Sequence, residues 1–254
     1  MRFFTIIFLL LVLQRHHAYG QAASNLLSNN KTPAETFSEP LKTAFPFALY
    51  KTATEQSQNL YNGRLYYVYD ARMEEHQFFG DRKWQKGAIY YDGQRFDSIP
   101  MIYDINRDEL VIKHFNGDPL LLQSEKVDYF SKENHNFKRF ESGKEISPQM
   151  RTGFYDILYE GKSKVLVRRT KQRQEKIVEK KVISLYPEKD FYYIRKDDRY
   201  YSVRSKKSVF ALFPERKKEL RKALRDEHIK FRKNRDAAIE VIVKAYDGSE
   251  TGKK

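Results

Sequence analysis

From Leu60 onward the chain falls into short aromatic and β-branched runs punctuated by turn dipeptides, and no other feature restricts its fold as much. Asn62-Gly63, Asp92-Gly93 and Asn116-Gly117 each join a residue that tolerates left-handed backbone to a glycine, the chemistry of a two-residue hairpin. Between and beyond these turns the texture predicts strands at Arg64–Tyr69, His76–Phe79, Gly87–Tyr91, Arg95–Tyr103, Glu109–Phe115, Leu120–Gln123, Lys126–Phe130 and Phe137–Phe140. It predicts five more at Phe154–Tyr159, Lys164–Lys171, Ile177–Tyr186, Phe191–Arg195 and Tyr200–Val203. Connections this short leave no room for crossover helices, so the strands are expected to pair antiparallel as a meander, either an open curved sheet or a barrel-like one. Pro100 lacks an N–H and therefore implies an edge or a bulge.

After Val203 the period changes. Lys206–Leu212 reads as one or two helical turns, and Pro214 suits the first turn of a helix reaching about Arg225. Asn234 is placed to cap a last helix to Tyr246, with Ala238, Ile242 and Ala245 on one face. The fold class is thus α+β: a β body at 59–204, two or three C-terminal helices packed on it at 205–247, and a disordered tail at 248–254.

The N-terminus reads as an export signal. Arg2 precedes an eleven-residue run, Phe3–Leu13, apolar except for Thr5, and Ala18-Tyr19-Gly20 places small residues at the −3 and −1 positions. Cleavage is expected before Gln21, so 1–20 is a signal peptide. As a helix the run covers about half of the ~30 Å hydrocarbon core, too little for a span. Residues 21–58 are polar, carry Pro33, Pro40 and Pro46, and read as a mobile leader. The chain has no cysteine, which removes disulfides, thiolate metal sites, a cysteine nucleophile and a cysteine-linked lipid anchor.

Several segments form an ordered set. They are Leu60-Tyr61-Asn62-Gly63-Arg64, Gly87-Ala88-Ile89-Tyr90-Tyr91-Asp92-Gly93, Ile99-Pro100-Met101-Ile102-Tyr103-Asp104 and Asp108-Glu109-Leu110-Val111-Ile112. In the tail they are Lys207-Ser208-Val209, Leu212-Phe213-Pro214, Lys217-Lys218-Glu219-Leu220 and Phe231-Arg232-Lys233. Together, over about residues 58–247, they resemble a family of uncharacterised exported proteins common in Bacteroidetes-type Gram-negative bacteria. The resemblance implies export to the periplasm or outer membrane. It carries no activity and no functional residue.

No catalytic signature is found. Gly161-Lys162-Ser163 lacks the glycine that a phosphate loop needs five positions earlier, where Asp156 stands. It is expected to be a turn. Asp104-Ile105-Asn106-Arg107-Asp108 begins like a calcium loop, but Glu109 and Phe115 occupy the positions of the required glycine and glutamate, so a hairpin turn is expected. His76, His114, His135 and His228 are widely spaced, and no cofactor or metal is expected.

The formal charge of +14 is unevenly placed: residues 1–20 carry +2, 21–150 carry −2 and 151–254 carry +14. The excess gathers in an expected hairpin at Lys162–Lys181 and in the helical segment. A polyanion-binding surface would draw on Arg168, Arg169, Lys171, Arg173, Lys176, Lys180, Lys181, Arg216, Lys217 and Arg221. Lysines also keep exposed strand edges from pairing. The expectation is an exported cell-envelope protein, non-enzymatic, acting in binding or structure, with a basic C-terminal region. Partners would be an anionic envelope component or an acidic protein, and not chromosomal nucleic acid. Two alternatives stand beside it: a binder of lipopolysaccharide, anionic lipid or acidic glycan, and an envelope hydrolase whose histidines and carboxylates converge in a pocket.

Overall fold

The computed structural model describes residues 59–67 and 75–250, with side chains through Gly248. The signal peptide, the leader, the outer part of the first expected strand (68–69) and the last four residues lie outside the described residues. Within them the strands are β1 (Arg64–Leu65), β2 (Gln85–Tyr91), β3 (Gln94–Asp104), β4 (Glu109–Lys113), β5 (Pro119–Leu121), β6 (Val127–Lys132) and β7 (His135–Phe140). They continue as β8 (Gly153–Glu160), β9 (Lys164–Arg168), β10 (Gln174–Val178), β11 (Lys181–Leu185), β12 (Phe191–Lys196) and β13 (Arg199–Val203). Three helices follow: α1 (Lys206–Ala211), α2 (Lys217–Asp226) and α3 (Arg235–Glu250).

Eleven strands form one antiparallel sheet in the order β1-β5-β4-β3-β2-β6-β7-β8-β9-β12-β13, and β10 pairs only with β11. The architecture is α+β, and the sheet is open, with β1 and β13 as its edges. It is nevertheless strongly rolled. β5 and β6 lie four strand steps apart, about 19 Å on a flat sheet. The connection between them is Leu122–Lys126, and with a 3-10 turn in it such a segment reaches only about 16 Å. Ring contacts record the curl: Tyr103 on β3 meets Phe154 on β8 at 5.9 Å between centroids, although three strands separate them in the sheet.

Inside the roll Ile89, Met101, Tyr103, Leu110, Ile112, Phe130, Phe137 and Phe154 form one buried cluster. The same face of the sheet continues onto β9, β12 and β13, where Val165, Val167, Ile194 and Val203 are covered by Phe210, Phe213, Leu220, Leu224, Ile239, Ile242 and Val243 of the helical segment. One apolar face is therefore buried in two ways, against itself where the sheet curls and against helices where it opens.

Two of the hairpin turns behave as their residues dictate. Asp92-Gly93 and Asp197-Asp198 are left-handed at both positions and close the β2–β3 and β12–β13 hairpins. Pro100 sits just past the last β3–β4 pair, Met101 with Ile112. Beside it the β2–β3 register shifts between Gly87 and Ile89, so local edge and bulge together accommodate it. Asn234 caps α3, its side chain accepting from the Ala237 N–H at 3.1 Å. Ser205 caps α1 by accepting from the Ser208 N–H at 3.2 Å.

Four expectations need correction. Asn62-Gly63 does not turn a hairpin: it joins a 3-10 turn at Asn59–Tyr61 to β1, which pairs with β5, and neither residue is left-handed. His76–Phe79 forms a single bridge, Phe78 to Asp104, in place of a strand. The basic hairpin expected at Lys162–Lys181 does not exist as such: β9 pairs with β8 and β12, and the hairpin is β10–β11, turning at Glu179-Lys180. Both turn residues are left-handed, and neither is of a type that announces it. The last helix runs to Glu250, through Gly248 at the start of the expected tail. Asp247 holds that end, its carboxylate accepting from the Ser163 N–H at 2.7 Å and the Ser163 hydroxyl at 2.8 Å. The Gly161-Lys162-Ser163 segment is thus a β8–β9 turn fastened to the C-terminal helix.

The roll closes at Gly153. Its φ of +149° suits only glycine, and a Cβ there would lie 1.9 Å from Asp108 Oδ2. Gly153→Ala is expected to destabilise the chain by at least about 3 kcal/mol in urea denaturation, well beyond the loss for alanine at Gly93, whose added carbon meets nothing.

Candidate anion-binding cleft

Where the β3–β4 turn approaches the end of β9 and the start of β12, a cleft of about 560 Å³ opens. The β3–β4 turn contributes Asn106, Arg107 and Asp108, the approach to β8 contributes Arg151, the chain leaving β9 contributes Arg168 through Gln172, and β12 with its approach contributes Lys189, Phe191 and Tyr193. Six of the lining side chains are cationic and one, Asp108, is acidic.

Asp108 builds the cleft's inner wall. It is left-handed, accepts from the Tyr103 hydroxyl and the Phe154 N–H, and pairs with Arg168 at 3.1 Å. Burial pushes its carboxyl above the usual value, against the pull of Arg168. Arg168 also donates to the backbone carbonyls of Arg151 and Thr152 and lies over the Tyr155 ring, so its guanidinium is fixed in place. Arg107, Arg151 and Lys189 are exposed. Lys189 sits 5.3 Å above the Phe191 ring. Phe191 and Tyr193, two apart on β12, lie on the same face of the strand.

The cations deeper in the structure are already engaged. Arg169 is buried and meets three carboxylates, Asp156 at 2.5 Å, Asp236 at 2.6 Å and Asp190 at 2.8 Å. Those aspartates come from β8, the start of α3 and the approach to β12. His135 on β7 contacts Asp156 at 2.7 Å, and the Tyr192 hydroxyl donates to Asp236 at 2.6 Å. Burial pushes Asp190 upward against Arg169. In Asp236 the same burial cost is overcome by hydrogen bonds from Arg169 and Tyr192, which leave its carboxyl below the usual value. Lys171, also buried, donates to the carbonyls of His76 and Phe78 at 3.0 and 2.9 Å.

The ten basic residues singled out in the sequence therefore do not form one surface. Arg168, Arg169 and Lys171 line the cleft, and each is already paired with at least one carboxylate: Arg168 with Asp108, Arg169 with three aspartates and Lys171 with Glu188 at 3.4 Å. Arg173, Lys176, Lys180 and Lys181 belong to the β10–β11 hairpin or its base, where Arg173 pairs with Glu175 at 2.9 Å. Arg216 precedes α2 and binds Glu219 and the Tyr246 carbonyl, while Lys217 and Arg221 are exposed on α2. Reasoning from charge runs missed Arg107, Arg151 and Lys189, which are isolated in sequence and meet through the roll. The four histidines do not converge: His135 reaches a carboxylate that Arg169 also uses, and no group of three or more possible metal ligands occurs among the described residues. No helix among the described residues is long and apolar enough to cross a membrane.

No family model matches the chain, and no curated protein or solved structure matches it.

Removing Arg169 would leave buried aspartates without a counter-charge. Arg169→Met is expected to cost about 3–5 kcal/mol at neutral pH in chemical denaturation. Without the guanidinium the Asp190 carboxyl rises further above its unfolded value, and stability linked to a raised carboxyl is present at low pH and lost as pH rises. The penalty should therefore shrink between pH 7 and pH 4. A penalty that grows over that interval would contradict the role assigned to Arg169.

Proposed function

We propose that the chain is an exported, non-enzymatic component of the cell envelope that binds an anionic ligand in the cleft between the β3–β4 turn and β12. The observation that carries this reading is the exposure of Arg107, Arg151 and Lys189 along the cleft, beside Arg168, whose guanidinium is held in place by Asp108 and two backbone carbonyls. Positive charge along a concave wall concentrates counter-ions more than the same charge on a convex surface. The bidentate donor geometry of arginine matches phosphate, sulfate and carboxylate. Phe191 and Tyr193 add an apolar floor against which a sugar ring or a similar flat group would rest. Export is supported by the signal-like N-terminus and by the resemblance to exported proteins. In that compartment the anionic ligands at hand are lipopolysaccharide phosphates, anionic headgroups and acidic glycans.

The test is binding of purified lipopolysaccharide and of dextran sulfate across a salt series, comparing the wild-type chain with the triple variant Arg107→Glu, Arg151→Glu, Lys189→Glu. All three side chains are exposed, and because Arg107 faces Asp104 and Glu109 a retained cooperative melting transition is the control for folding, while affinity at low salt should fall at least about tenfold. The wild type should bind more weakly as salt rises. Equal affinity of the two proteins, or binding indifferent to salt, would remove the cleft from the account.

A further inference from the structure

The β10–β11 hairpin stands apart from the sheet, and although its base adjoins the cleft none of its strand residues lines it. It shares no ladder with the main sheet, and its five-residue strands reach about 17 Å. Its base is fixed: the Arg173 N–H donates to Asn106, the Arg173 guanidinium donates to Ser184, and Lys171 bridges to Glu188. Exposure rises away from that base. Ser184 is buried, Ile183 is half-buried, and every residue of β10 is exposed. Near the turn Ile177 is 75% exposed, Val182 55% and Val178 39%. Ile177 and Val182 are cross-strand partners, so they present one apolar patch. Lys176 and Lys181 alternate onto the opposite face with Val178, Glu175 shares the face of Ile177, and Glu179-Lys180 forms the turn.

Lysines alone have an ordinary explanation, since a two-stranded ribbon has two open edges that charge protects from pairing. That explanation does not cover Ile177 and Val182, which are β-branched side chains left in water at the far end of the ribbon. An uncovered aliphatic tip with lysines on its other face and at its turn matches an anionic bilayer entered end-on. The aliphatic groups enter the headgroup boundary, and the lysines extend along their own stems to lipid phosphates. A protein partner is the poorer match, because protein interfaces favour aromatic residues and arginine and are depleted in lysine.

We propose that the β10–β11 hairpin is a membrane-docking element that inserts Ile177, Val178 and Val182 shallowly into an anionic lipid surface while Lys176, Lys180 and Lys181 contact its headgroups. It is independent of the cleft. The test uses the full chain, which is free of cysteine, so Val178→Cys carries an environment-sensitive fluorophore at a single position. Vesicles of phosphatidylcholine with about a third phosphatidylglycerol should raise and blue-shift the emission, and pure phosphatidylcholine should not. Ile177→Asp with Val182→Asp, and separately Lys176→Glu, Lys180→Glu and Lys181→Glu combined, should each weaken the vesicle response at least about tenfold. Their melting temperatures should match the wild type, because these side chains are exposed.

A label that stays in water while the protein co-sediments with vesicles would overturn the proposal, as would equal response to the two lipids. A response to envelope proteins freed of lipid, absent with vesicles, would assign the tip to a protein partner and also overturn it. The Arg107, Arg151 and Lys189 triple variant should keep the vesicle response, so failure of the cleft reading leaves this one intact.

Discussion

The chain is held in its shape by the meeting of Arg169 with Asp156, Asp190 and Asp236. Burying one guanidinium costs too much unless it is paired, and burying the Asp156 carboxylate alone costs as much, while Asp190 and Asp236 are partly buried. The four groups arrive from β8, the end of β9, the approach to β12 and the first turn of α3, so each can be buried only when all of those elements are in place. The network lies where the apolar face changes partners, from the roll on one side to the helices on the other. Its value is as a register mark: it ties the position of α3 to that of β8 and β9, which apolar packing alone would specify loosely. Asp247 repeats the device at the other end of α3 through Ser163.

The second constraint is the short connection between β5 and β6. A segment too short to cross a flat sheet obliges the sheet to curl, and curling brings the β3–β4 turn against β8 and β9. Asp108, from that turn, then accepts from the Phe154 N–H and pairs with Arg168. The cleft is a consequence of this closure. Its cations come from four stretches of sequence that no local pattern connects, and they face one another because the turn is drawn across the end of β9.

Much of the fold was legible in the residues. The hairpin at Asp92-Gly93, the cap at Asn234 and the change from strand to helix after Val203 are local matters of backbone conformation and hydrogen bonding over a few residues. The β10–β11 turn was not legible, because Glu179 and Lys180 adopt left-handed backbone without being of a type that favours it. The basic run from Lys162 to Lys181 was legible as charge and misleading as surface. It spans β9, the buried Arg169 and Lys171, and the exposed hairpin, and no count of lysines and arginines separates a compensated cation from an available one.

The sequence by itself determined the element types, most of their boundaries, the class of fold and the placement of excess positive charge in the last 104 residues, because propensity, turn chemistry and charge are properties of short stretches. Only the tertiary structure decided which strands pair, which cations are neutralised and where a cleft opens. Those outcomes depend on distances between residues far apart in the chain, such as Asp108 and Arg168 or Arg169 and Asp236, and such distances are set by the curl of the sheet and the docking of α3.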